Sequence, residues 1–198
     1  QLLPDGGRDS YLALGTSEST CATAPVILRQ TPQDGGGAGL SYLQPRFSPN
    51  GSRLAFVEDR AEEGGMRVGA VSYDGNDLRD IAAFCPTDES CWLPAFFPPR
   101  PQWLDAQTIG WARSHEVDGG SVDGWEVMIA NDSANPNPRV YMTCEGTVPR
   151  SIAFLPDGSV IANSAAPGTQ IEDLRVFKPS TPGGAGQLVR KLTNLGTA

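Results

Sequence analysis

The stretch Phe47-Ser48-Pro49-Asn50-Gly51-Ser52-Arg53-Leu54-Ala55-Phe56-Val57 decides the reading of the chain. Pro-Asn-Gly is turn chemistry: proline presets φ for the first corner position, and glycine takes positive φ without steric cost. The residues after it alternate and are β-prone, so the stretch predicts a tight turn launching a strand. Further on, Tyr73-Asp74-Gly75-Asn76 is a second hairpin signal.

The pattern recurs in Leu2-Leu3-Pro4-Asp5-Gly6 and in Phe154-Leu155-Pro156-Asp157-Gly158, with a degraded version in Trp103-Leu104-Asp105-Ala106-Gln107. A β-rich run follows each turn: Tyr11 to Leu14, Arg53 to Val57, Thr108 to Trp111 and Val160 to Ala162. Beyond a polar gap come Pro25 to Leu28, Arg67 to Val71, Trp125 to Ile129 and Leu174 to Phe177, then fourth runs such as Arg139 to Met142 and Gln187 to Arg190. Four short strands repeated about four times at blade-sized spacing predict an all-β propeller of antiparallel four-stranded blades. The expected blades are 1–43, 44–97, 98–147 and 148–198, forming either a small closed ring or an arc of a larger, six- to eight-bladed one. Abundant Gly (23) and Pro (17) agree, because both interrupt helices and punctuate turns.

These residues resemble the TolB-type, WD-repeat-like propeller repeat of bacterial envelope proteins. Residues 47–57 and Tyr73 to Leu78 match it best and residues 152–158 match well; the first repeat is partial and the third lacks Pro-Asp-Gly. The resemblance implies fold rather than activity. The expectation is a partial propeller and not a whole TolB, whose family pairs the propeller with an α/β domain.

Net charge is −8 with a pI near 4.6. A nucleic-acid partner is therefore excluded from the expectation, because phosphate binding needs a basic surface, and an anionic membrane would repel the chain. No apolar run reaches the roughly 18–20 residues that span a bilayer. Gln1 at the start is read as a processed or excised segment. Four cysteines, Cys21, Cys85, Cys91 and Cys144, point to disulfides and a periplasmic or extracellular setting. A Cys85–Cys91 bridge would close a small loop and leave Cys21–Cys144; spacing does not fix connectivity, and buried free thiols are the alternative.

In a four-stranded antiparallel unit, the first–second and third–fourth turns share one end, and the second–third hairpins and inter-blade links share the other. All four cysteines are expected at the link end. So are two insertions, Cys85 to Pro101 with Trp92, Leu93, Phe96 and Phe97, and Ser114 to Gly124 with His115. Loops carry function more often than scaffold, so Trp92, Leu93, Phe96, Phe97 and His115 are the partner-binding candidates, an edge plug being the alternative for the aromatic stretch. Asp118, Asp123 and Glu126 are weak calcium candidates, without EF-hand spacing. His115 is the sole histidine and no Gly-x-Ser-x-Gly elbow occurs, so no catalytic residue and no cofactor are expected. The expected function is a non-enzymatic protein-interaction or scaffolding propeller. The alternatives are a sugar- or peptide-binding domain of a larger enzyme, or a subunit completed by another chain.

Overall fold

A computed structural model describes residues 10–13, 26–30, 41–60, 65–83, 100–117, 121–149, 151–165 and 172–194. These residues are all strands and turns. No helix among them is long and apolar enough to cross a membrane.

The strands group in sequence order. β1 (Ser10–Ala13) pairs with β2 (Val26–Gln30). Then follow three four-stranded antiparallel meanders. The first is β3 (Ser41–Phe47), β4 (Arg53–Arg60), β5 (Gly65–Ser72) and β6 (Arg79–Ala83). The next is β7 (Gln102–Trp103), β8 (Thr108–Val117), β9 (Ser121–Asn131) and β10 (Arg139–Glu145). The last is β11 (Ile152–Phe154), β12 (Val160–Ala165), β13 (Glu172–Pro179) and β14 (Gly186–Lys191). Three of the roughly four four-stranded units expected from the turn motif are therefore present, the first being described only as the β1–β2 pair, and among the described residues the sheets do not close into a ring.

The turns form as their chemistry dictates. Gly51, Gly75 and Gly158 take φ of 71°, 81° and 80°. Asn50 Oδ1 accepts from the Ser52 amide at 3.2 Å, and Asp157 Oδ1 accepts from the Ser159 amide at 3.0 Å. Each side chain thus closes its own corner. The two turns of a sheet meet at one end, as expected: the Tyr73 amide donates to Ser52 O at 3.1 Å, and the Asp132 amide to Gln107 O at 2.7 Å.

Burial follows strand alternation on both faces. One face of β3–β6 gives Ala55, Val68, Ala70 and Ile81 to a core shared with Trp103, Ile109, Trp111, Met128 and Ala130 of β7–β10. The opposite face of β7–β10 gives Ala112, Trp125, Val127, Met142 and Cys144 to a second core, with Ile152, Val160, Ala162 and Phe177. The first strands converge: β7 lies beside both β3 and β11. In the first of these contacts the Trp103 indole N–H donates to Arg46 O at 2.9 Å. Arg46 follows an irregular step in β3, where Gln44 has φ 54° and pairing with β4 skips from Leu43 to Arg46. Pro45 occupies that step, where a strand tolerates a residue without an N–H.

Two expectations are corrected here. Ser114 to Gly124 is no long loop: β8 runs to Val117 and β9 starts at Ser121, so His115 sits in a strand, paired with Gly124. Cys144 is not in a link either. It lies within β10, buried and free, so the Cys21–Cys144 bridge is not formed. The reason is alternation: Met142 and Cys144 both face inward from β10.

Candidate functional site

Among the described residues, a four-membered charged cluster ties the first two meanders together at their turn end. Arg53 opens β4 and Arg79 opens β6, while Asp132 belongs to the β9–β10 turn. Asp132 is 2% exposed at its side chain and receives Arg53 Nε and, at 3.1 Å, Arg79 Nη1. Asp77 completes the group, 2.8 Å from Arg53 Nη1 and 2.5 Å from Arg79 Nη2. The Arg79 hydrogen bond holds the Asp77 carboxyl below its ordinary range. In return, Asp77 and then Asp132 raise the Arg79 guanidinium above its own.

A second cluster lies on the β8–β9 hairpin. Arg113 and Glu126 are register partners, and Arg113 Nε donates to Glu126 Oε1 at 2.5 Å. His115 Nδ1 stands 3.5 Å from Glu126 Oε2. The structure thus brings together His115, expected to meet a partner, and Glu126, expected as a calcium ligand. The Glu126 carboxylate is nearly buried and held by a guanidinium, which opposes a cation there. Asp118 and the side chain of Asp123 lie outside the described residues. So do Trp92, Leu93, Phe96, Phe97, Cys21, Cys85 and Cys91. Among the described residues no group of three or more His, Cys, Asp or Glu is arranged to hold a metal.

The seam between the last two meanders is closed by backbone and aromatic contacts. Tyr141 Oη donates to Gly158 O at 2.7 Å, and its ring meets Phe154 edge-on. The Thr143 amide donates to Gly184 O, and the Gly183 amide to Tyr141 O, both at 3.1 Å. Cys144 packs against Gly186, and burial pushes its thiol up to about 12. A thiol that stays protonated at neutral pH is no nucleophile.

Large apolar side chains are exposed in two places. Phe47, Tyr73 and Leu78 flank the turns of β3–β6; Leu174, Leu188, Val189 and Leu192 lie on the last meander. Sequence reading singled out neither set, because the residues of a strand or turn do not show from the sequence which side meets solvent.

No family model matches the chain, and no curated protein matches it in sequence. Solved structures do. The structure of TolB from Acinetobacter baumannii matches with a TM-score of 0.54 at 13% identity, over 87% of this chain and 36% of that one. A prolyl endopeptidase matches with a TM-score of 0.51 at 16% identity, over 90% of this chain and 25% of that one. The fold is a run of β-propeller blades. The chain spans about a third or less of the length of either protein, and at these identities the likeness shows the fold alone. In propeller terms β3, β7 and β11 are the inner strands of their blades, and β6, β10 and β14 are the outer ones.

Proposed function

We propose that this chain is a non-enzymatic protein-interaction or scaffolding module acting in the periplasm or outside the cell. The observation that carries the reading is the use made of its ionisable groups. Asp132, Glu126 and Asp173 are each engaged by cationic side chains within or between blades, Asp173 by Lys191 Nζ at 2.6 Å. Such groups hold a scaffold in register rather than perform proton transfer, which needs a base aimed at a substrate. Exposed apolar side chains, by contrast, are what a binding surface presents.

Trp92, Leu93, Phe96 and Phe97 remain the partner-binding candidates at the link end, with a Cys85–Cys91 bridge stiffening their segment. His115 joins them from the β8–β9 hairpin, where Glu126 orients its ring. Tagged wild-type protein and a Trp92→Ser/Phe96→Ser variant, each cross-linked in the native host, test this. The wild type should enrich a protein that the folded variant loses. Equal enrichment by both, or none by either, contradicts the assignment.

The likeness to a prolyl endopeptidase favours one alternative, a peptide-binding propeller domain of a larger enzyme. Saturable binding of proline-containing peptides by the isolated chain would support that alternative, and its absence would count against it.

A further inference from the structure

We infer that Asn50 is a self-modification site gated by the seam between the first two meanders. When the seam opens, its side-chain amide is lost through a succinimide and the corner between β3 and β4 is rewritten. The inference goes beyond the interaction reading and does not depend on it. Asn50 is exposed and is the one asparagine of the chain followed by glycine. Gly51 carries no Cβ, and a Cβ built there would meet nothing within 4 Å, so its nitrogen has a clear path to the Asn50 carboxamide.

The corner primes the electrophile. Asn50 Oδ1 accepts from Ser48 Oγ and Ser52 Oγ, both at 2.8 Å, and from the Ser52 amide at 3.2 Å. These donors draw electron density from the carbonyl and face the oxygen that turns negative when a nitrogen attacks. The leaving group is loose: Asn50 Nδ2 donates to no described residue, so it departs without breaking a contact. The same corner restrains the nucleophile. The Gly51 amide donates to Ser48 O at 2.8 Å, and that bond has to break before attack. Ser48 is 3% exposed, and its Oγ accepts from the Arg53 amide at 3.0 Å. Arg53 in turn grips Asp132 of the next meander. A chain of contacts thus runs from the Gly51 nitrogen to the neighbouring blade, and local opening of the seam frees that nitrogen.

The step balances with water as its co-reactant. The Gly51 nitrogen gives its proton to solvent and bonds to Asn50 Cγ; the Cγ–Nδ2 bond breaks and Nδ2 leaves as ammonia. Water then opens the five-membered ring. Opening at the side-chain carbonyl gives aspartate, and opening at the main-chain carbonyl gives isoaspartate. Asp157 shows what the first product does, because its carboxylate already makes this corner. It accepts from the Ser159 amide and from Ser159 Oγ, both at 3.0 Å, while the Gly158 amide donates to Leu155 O at 2.9 Å. Isoaspartate instead adds a main-chain methylene and removes the acceptor that Ser48 and Ser52 hold. The corner that positions Arg53 on Asp132 is then lost, and the opened seam does not reclose as before.

Peptide mapping by mass spectrometry, after incubation at physiological pH and temperature, tests the inference. The free peptide Phe47 to Arg53 should convert to aspartate and isoaspartate, the latter identified by isoaspartyl methylation. Asn50 in the folded chain should convert about fivefold or more slowly, the effect of the one hydrogen bond that ties Gly51. Asp132→Ala should raise the folded rate several-fold, and Asp132→Asn, which keeps the shape and loses the charge, should raise it less. Should Asp132→Ala misfold, Asp132→Asn alone decides. Asn50→Asp should keep the wild-type circular dichroism spectrum, as the Asp157 corner requires. Equal rates in peptide and folded chain, a folded rate indifferent to the Asp132 variants, a peptide without isoaspartate, or a misfolded Asn50→Asp each overturns the inference.

Discussion

Trp111 on β8 and Trp125 on β9 lie on opposite faces of one four-stranded sheet, yet they are 1% and 0% exposed. A two-layer sandwich buries only one face of each sheet, so a sheet holding an indole on either side is packed from both. Trp111 enters the core shared with β3–β6, and Trp125 meets Phe177 of the last blade edge-on at 5.4 Å between ring centroids. Blade-on-blade stacking follows from that relationship.

The seam charges should be unequal in effect. Asp132→Ala removes a buried acceptor and leaves Arg53 and Arg79 to share the more exposed Asp77 alone, at an expected cost of about 3 kcal/mol. Arg79→Ala leaves Arg53 on Asp132 and should cost about 1.5 kcal/mol. Urea unfolding of the two variants and their double mutant measures both costs. Equal, negligible losses would remove the network from the account.

Acid should loosen the same turns. The Arg79 hydrogen bond lowers the Asp77 carboxyl, and the Ser72 and Ser159 hydrogen bonds lower Asp74 and Asp157. A carboxyl lowered on folding stabilises the native state fully above its unfolded value near 3.8. That contribution is lost as pH falls through the lowered folded value. The melting temperature should therefore hold down to about pH 4 and drop below it, with a smaller drop in Asp77→Asn. A drop centred between pH 5 and 7 would contradict the assignment.

Close approach in the seam of the last two blades makes Gly186 irreplaceable. A Cβ built there meets Cys144 Sγ, with Met142 Sδ at 3.2 Å. Gly186→Ala should cost about 1–3 kcal/mol as an overpacked core, and Cys144→Ala in the same chain should recover part of it. Additive losses in denaturant titration would show that the two residues do not meet.

Thiol chemistry separates the cysteines. In the native protein Cys144 should resist maleimide, since burial keeps its thiol protonated, and it should react once unfolded without reductant. Cys85 and Cys91 should react only after reduction. Peptide mapping of the labelled sites reads all three, and native labelling of Cys144 would contradict its burial.

Much of this was legible in the sequence because turn chemistry is local. Pro49-Asn50-Gly51, Asp74-Gly75 and Pro156-Asp157-Gly158 announce their corners by composition, and the strands flank them as alternation requires. Register was not legible. The loop from Phe47 to Leu54 spans residues 48–53, one longer than 155–159 between Phe154 and Val160. Aligning the motifs therefore matches Arg53 to Val160, whereas the structure matches Leu54 to it. A one-residue slip exchanges the two faces. The same limit hid Cys144, whose inward direction depends on its place in β10, and the Arg53–Asp132 pair, which joins residues far apart in the chain. His115 was misplaced because a polar, glycine-containing stretch reads as loop even when two long strands carry it into a hairpin.

The most direct test of the central claim is a set of nuclear Overhauser contacts from the two buried indoles. The account predicts that Trp111 sees methyl groups of the Ala55, Val68, Ala70 and Ile81 cluster while Trp125 sees the Phe177 ring, with no contact between the indoles. Both indoles contacting one common set of side chains would mean a single shared core, and the stacked-blade account would be wrong.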